Sequence, residues 1–215
     1  MELLVVISII AMLMGILLPS LANARQQAKT LAVNSDLRQI GLAIECYFID
    51  NKKYPPTRQD CMEGTLKAHL FQLPKQLAEG NYLPKNNEFD AMSTTMEDRF
   101  NPEHTYKYRS IGECIIDRDI IDKWLKSQLW VPYSFPRKGG IETKDGKWYD
   151  DINTSPVKWV IFSVGPNFEE KQIQSQMGSR YPIPREVWYK TQQKKGFLVR
   201  IHLKNEDDIG SFRGN

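Results

Sequence analysis

Histidine and cysteine are scarce, three of each among 215 residues. His69, His104 and His202 lie far apart with no H-E-x-x-H pairing, and none stands beside a nucleophile pattern, so each is expected in a structural or solvent role. Cys46, Cys61 and Cys114 fall short of a disulfide scaffold and lack the C-x-x-C spacing of a zinc knuckle or redox site. A Cys46–Cys61 bridge stays open if the domain lies outside the cytoplasm, beside the alternative of three idle thiols. G-x-S-x-G, P-loop and G-x-G-x-x-G patterns are missing, and no catalytic residue is assigned. An excess of one charge is missing as well: 29 basic and 26 acidic side chains leave +3, which argues against a nucleic-acid-coating protein. With 13 Gly and 12 Pro in no repeat, and nine Tyr, nine Phe and five Trp, the chain is neither collagenous nor fully disordered.

The absence of charge is local. Residues 1–24 hold 18 apolar side chains and a single charge, Glu2, so 54 of the 55 charges fall in the remainder. That remainder is modestly apolar, and a small core is expected. From Leu3 to Leu18 the run LLVVISIIAMLMGILL is uninterrupted, and Pro19 to Ala22 extend it to about 20 residues, enough for the ~30 Å of a bilayer's hydrocarbon. A cleaved secretory signal is the other reading, with Ala22-Asn23-Ala24 as an A-x-A site. The run is long for one, however, and it has an acid where a base belongs.

The helical pattern continues past the run. Ala24, Ala28 and Leu31, then Val33, Leu37, Ile40, Ile44, Tyr47 and Phe48, keep spacings of three and four down to Asp50-Asn51. Gly41 is the one helix breaker between Arg25 and Asn51, at a cost of about 1 kcal/mol. One helix of about 48 residues, about 70 Å long, is therefore predicted, membrane-spanning over 1–24 and soluble over 25–51, with a globular domain over 52–215. Pro19 removes one helical hydrogen bond, so a bend near Gly15 to Pro19 is expected. A carboxylate at the rim of an apolar helix can rest among headgroups. An acid held inside a membrane usually has a partner, which would make Glu2 a determinant of register.

Beyond the helix, Lys52 to Pro56 is turn chemistry. Leu66, Leu70, Leu73 and Leu77 predict a short amphipathic helix interrupted at Pro74 and ended by Gly80, packed on the first helix. Residues 85–103 read as a surface loop. Thr105–Ile111 alternates like a strand, Ile115–Leu129 has the spacing of a helix, and Trp130–Phe135 suggests a short strand. A hairpin-like tip follows around Lys144–Lys147. Lys158–Val164 and Gly196–Leu203 are the clearest strands. Helices first and strands afterwards predict an α+β fold, with an antiparallel sheet on the outer half of the long helix. The five tryptophans are expected mostly in the core rather than lining a groove.

The segment ELLVVISIIAMLMGILLPSLANARQQAK resembles the start of type IV pilin-like proteins, in particular the pseudopilins of type II secretion systems. There a basic leader ends in Gly before F-T-L-(I/V)-E-L-L-V-V-I; a prepilin peptidase cuts after that Gly and the new terminal Phe is methylated. The resemblance places Glu2 on the glutamate that contacts a neighbouring subunit's N-terminal amine, and Pro19 on the helix-kinking proline. The leader, the Gly and F-T-L are absent, and Met1 precedes the glutamate, so a start assigned too late is the expectation. By the positive-inside rule Arg25 and Lys29 alone would hold residues 25 onward in the cytoplasm, and a basic leader would reverse this. Further similarities are Tyr54-Pro55 with Lys53 for Gly, Gly80 with Tyr82-Leu83-Pro84, Asp98 and Phe100 with Arg99 for Pro, and Tyr106 with Tyr108. Ser163-Val164-Gly165-Pro166 follows, with Asn167-Phe168 for Asp-Gly. The last 47 residues have no counterpart.

The resemblance implies a filament subunit in the inner membrane, single-pass, with its C-terminal domain periplasmic or extracellular. Other pseudopilin subunits, a prepilin peptidase, an assembly platform and membrane lipid would be its partners. It also directs inspection to calcium: Asp145, Asp150, Asp151 and Asn153 form one acidic group and Asn205, Glu206, Asp207 and Asp208 another, neither with EF-hand spacing. Solvated loop acids are the commoner reading, and no cofactor is assigned. Asn153-Thr154-Ser155 is a formal sequon taken as accidental. The rival class is an anchored or secreted ligand-binding or enzymatic domain.

Overall fold

A computed structural model of the chain describes residues 2–59, 65–68, 70–86, 94–116, 120–136, 145–205 and 207–213, without the side chains of Glu2, Lys123 and Arg213. It has two compact units, residues 1–32 and 33–215. A single α-helix, α1 (Glu2–Asn51), supplies the first and opens the second, with Pro19 inside it.

In the second unit α1 is amphipathic. Val33, Leu37, Ile40, Ile44 and Tyr47 are buried, as their spacing predicts, and Phe48 is half-buried on Tyr54 at 4.5 Å between ring centroids. They pack on a four-stranded antiparallel sheet ordered β2 (Lys107–Ser110), β7 (Val157–Ser163), β8 (Leu198–Leu203), β9 (Ile209–Gly210). Alternation along the strands splits their side chains between two cores. Tyr106, Tyr108, Trp159, Ile161 and Leu198 join the α1 core, while Val160, Phe162, Val199, Ile201 and Leu203 face the other side. There Ile173 and Met177 of α3 (Glu170–Met177), with Tyr181, Ile183, Val187 and Trp188, close a second core. The expected small core is thus corrected: α3 and residues 181–188 roof the outer face of a sheet to which β8 and β9, from the same C-terminal stretch, belong.

A three-stranded sheet joins β1 (Thr57–Arg58), parallel to β3 (Gly112–Ile116), with β4 (Ile120–Ser127) antiparallel to β3. The helix expected over Ile115–Leu129 is this β3–β4 hairpin and the start of β5. Four isoleucines supply the spacing, but their branched side chains pack better on a pleated surface than along a helix. The pair β5 (Leu129–Pro132) and β6 (Gly146–Tyr149) forms a separate ribbon. The helix expected over the 66–77 leucines shrinks to α2 (Gln76–Glu79), because Pro74 interrupts it and Gln72 bridges to Lys107 at the edge of β2. Leu66 enters the outer core, and Leu73 and Leu77 the α1 core. The stretch read as a surface loop buries Thr94, Asp98 and Asn101.

Candidate assembly interface

The first unit exposes nearly everything it has. Leu3 to Leu21 present leucine, isoleucine, valine and methionine all round the helix, and among the described residues no element covers them. Each such side chain left in water forgoes about 1.5–3 kcal/mol of burial. Ser8 returns its hydroxyl to the Leu4 carbonyl at 2.8 Å, as a polar side chain does in an apolar setting. α1 is long and apolar enough, by length and composition, to cross a membrane. A helix apolar all round requires lipid or other helices. Leu31, expected to continue the inward stripe, is exposed. Glu2 opens α1, and its side chain lies outside the described residues.

In the second unit the outward face of α1 keeps apolar residues that its own core does not use. Leu42 and Ile49 are 61% and 62% exposed, two turns apart, with exposed Cys46 between them.

The inward face is fixed by a chain of polar contacts. Asp36 accepts the Tyr106 hydroxyl at 2.6 Å and pairs with Arg99 at 2.8 Å. Tyr108 donates to the Pro55 carbonyl at 2.9 Å, just past the end of α1. Tyr82 donates to Asp50 at 2.7 Å and lies edge-on to Tyr47. Asp98, fully buried, accepts Ser163 Oγ at 2.7 Å and the amides of Phe100 and Val164. Burial pushes its carboxyl above the ordinary range, against the pull of those three donors and of Lys107. The scattered motifs of the sequence therefore meet: the 98–100 turn is tied to the 163–166 turn, and the tyrosines of β2 to α1.

Closest contact comes at Gly41. A Cβ there would stand 3.0 Å from Cη2 of fully buried Trp159. Trp159 Nε1 donates to Glu45 at 2.5 Å, and its ring stacks on His202 at 5.3 Å between centroids. His202 Nδ1 bonds Asp208 at 2.8 Å, its Nε2 lies 3.8 Å from Glu45, and Asp208 also holds Arg200 at 2.7 Å. The Asp208 hydrogen bond raises the His202 pKa, helped by Glu45 and opposed by desolvation and Lys158. For the Asp208 carboxyl, burial alone would raise the pKa, but His202 and Arg200 outweigh it and hold it below the usual value. Sequence reasoning missed this cluster; its signal was Arg200 and His202 two apart on one strand face, close in sequence to an acid.

Cys61 and His69 lie outside the described residues, as therefore does a Cys46–Cys61 pairing; Cys114 is buried. His104 bonds the Pro102 carbonyl. Of the tryptophans, Trp130, Trp159 and Trp188 are buried, Trp148 is partly exposed and Trp124 stands in solvent. Among the described residues no group of three or more His, Cys, Asp or Glu could hold a metal ion. Of the candidate calcium acids, Asp151 Oδ1 accepts the Asn153 amide and Asp208 is engaged as above, while Glu206 is outside the description.

The chain is similar to a type II secretion system core protein G from Pseudomonas aeruginosa, at 30% identity over 84 residues, 39% of this chain and 59% of the relative. It thus spans about three fifths of the length of the curated relative it matches. No family model matches it. No solved structure matches it either.

Proposed function

We infer that the protein is a pseudopilin-like structural subunit of a type II secretion or type IV pilus-like filament, without catalytic activity of its own. One observation carries this: an apolar half-helix exposed all round continues as the core-forming helix of an α+β unit, in a chain similar to a type II secretion core protein. Such a helix serves as a single-pass inner-membrane anchor before assembly and as the filament's packing surface afterwards, with the globular unit periplasmic. Glu2 selects the axial register by meeting a neighbour's N-terminal amine, and Pro19 sets the bend that lets helices pack. Peptidase processing and an assembly platform act from outside, and other pseudopilin subunits are the neighbours.

Two substitutions test the reading in cells of the source organism, with membrane fractionation and recovery of sheared filaments as readouts. Glu2→Ala leaves the chain in the membrane and abolishes incorporation. Leu42→Lys, on the exposed face of α1, changes stability by less than about 0.5 kcal/mol yet lowers incorporation severalfold. Normal incorporation of both variants refutes the reading.

A further inference from the structure

The C-terminal stretch builds a cavity on the side of the sheet away from α1. The face of α3 that carries Gln172, Ile173 and Gln176, with Phe168 and Glu169 just before it, forms one wall. Glu186, Val187 and Trp188 form a second, held in place by the Phe197 amide, which donates to the Val187 carbonyl at 2.8 Å. The third is the 190–195 turn, closed by the Lys190 amide on the Lys195 carbonyl at 3.0 Å, and it contributes Gln193 and Lys195. Gly196 brings this turn against the second wall: at its φ of 116° a Cβ would stand 2.5 Å from the Trp188 carbonyl oxygen.

The cavity measures about 290 Å³. Small-molecule sites run from about 300 Å³ upward, and a cavity of about 150 Å³ already admits benzene, so there is room for one substituted six-membered ring. Part of the lining is carbon, from Phe168, Ile173, Val187 and Trp188. Trp188 turns its indole N–H away to the Pro182 carbonyl at 2.8 Å and adds no polar group. The rest is polar. Gln176, Glu186 and Gln193 have side chains without a hydrogen bond or ion pair among the described residues. Lys195 is fixed between Glu169, at 2.9 Å, and the Gln172 side-chain oxygen.

This lining selects against most ligand classes. An anion would face Glu186, and Lys195, the cation in the walls, is already neutralised by Glu169. A cation would meet Arg185, whose guanidinium lies over the Trp188 ring at 5.5 Å from its centroid. A wholly apolar ligand would strip water from two amides and a carboxylate and return no hydrogen bond. An uncharged molecule with several hydroxyls and a carbon–hydrogen face meets every group. Each hydroxyl donates and accepts, a primary amide does both, and a carboxylate accepts. We propose that the cavity binds one uncharged pyranose ring of a saccharide, with its C–H face on Phe168 and its hydroxyls on Gln176, Glu186 and Gln193. Because the site lies across the sheet from α1, binding is independent of assembly through that helix.

Full-length chain in a sugar-free detergent, lauryldimethylamine oxide, is titrated calorimetrically with the methyl glycosides of glucose, galactose and mannose. At least one binds with a Kd of about 1–10 mM, as the affinity per atom of ordinary small ligands gives for a molecule of this size. Cyclohexanol, a six-membered ring with a single hydroxyl, binds at least roughly tenfold more weakly. Gln176→Leu and Glu186→Leu, both at exposed positions, each lower the sugar affinity roughly tenfold while circular dichroism and Tm stay at wild-type values. No binding of any of the three glycosides, or wild-type affinity in both variants, overturns the proposal. So does equal or tighter binding of cyclohexanol, tetramethylammonium or inorganic phosphate. Glu2→Ala binds the sugar as wild type does, so a failure of the pseudopilin reading leaves this outcome untouched, and the converse holds.

Discussion

Replacing Gly41 by alanine sets two effects of similar size against each other. In an isolated helix the change stabilises by up to about 1 kcal/mol, because glycine loses more backbone entropy on folding. Here the new methyl stands 3.0 Å from Trp159 Cη2 and 3.5 Å from Arg200 Cδ, where carbon atoms prefer about 3.5–4.0 Å. The indole has little freedom to yield: it is fully buried, held through Nε1 by Glu45 and stacked on His202. Overpacking of this kind costs about 1–3 kcal/mol, so Gly41→Ala is expected to destabilise by up to about 2 kcal/mol. In a unit of this size each kcal/mol lowers Tm by about 2–4 °C. In a Trp159→Phe background the offending ring carbon is gone, and the same substitution becomes neutral or stabilising. Thermal unfolding of the full chain in detergent, followed by near-ultraviolet circular dichroism, gives all four corners of the cycle, with an expected coupling of about 1–3 kcal/mol. A higher Tm for Gly41→Ala in the wild-type background, or equal shifts in both, refutes the account of how α1 approaches the sheet.

Three further outcomes follow from the contacts. The raised His202 pKa makes its contribution, about 1 kcal/mol as for a partly exposed ion pair, complete below the unfolded value near 6.5 and lost as pH rises through the folded value. Urea midpoints of wild type should therefore fall between pH 6 and 8 more than those of His202→Gln, and parallel profiles would show that the His202 charge adds nothing to the Glu45–Asp208 cluster. Asp98→Asn keeps an oxygen for Phe100 and Ser163 but turns an amino group toward the Val164 N–H, at a cost of about 1–3 kcal/mol in a urea titration; an unchanged midpoint would mean the turn does not depend on Asp98. Phe168→Gly removes a half-buried ring from Phe197 and adds backbone freedom, together about 1–3 kcal/mol, and should speed proteolysis within residues 169–197, with an unchanged cleavage rate counting against it.

The long helix and the two best strands were legible because each is decided by a single period: three to four residues along α1, two along β7 and β8. The β3–β4 hairpin was not, since its isoleucines satisfy both periods and only pairing with Thr57-Arg58 and between the two strands decides the matter. Asp98 was unreadable for a similar reason. An acid in a polar stretch looks solvated until Ser163, 65 residues later, arrives to donate to it. Gly41 was visible as a local cost, but its cause, Trp159, lies on a strand 118 positions away.

The positions where the chain departs from the pseudopilin pattern share a physical logic. Lys53, in place of glycine, pairs with Glu113 of β3 at 2.9 Å and so ties the end of α1 to the hairpin that carries Trp124. Arg99, in place of proline, exchanges a rigid ring for an ion pair with Asp36 on α1. Asn167, in place of aspartate, takes a positive φ of 54° that asparagine tolerates and donates its side-chain amide to the Lys194 carbonyl. Phe168, in place of glycine, packs on Phe197. Lys53 and Arg99 thus tie the turn after α1 and α1 itself to the rest of the unit, while Asn167 and Phe168 reach the C-terminal stretch. The 167–168 pair turns the chain back over the sheet at the point where the resemblance ends. Roofing that face turns Val160, Phe162, Val199 and Ile201 inward into a core. The same stretch also lines the cavity beneath the 190–195 turn, between α3 and residues 186–188.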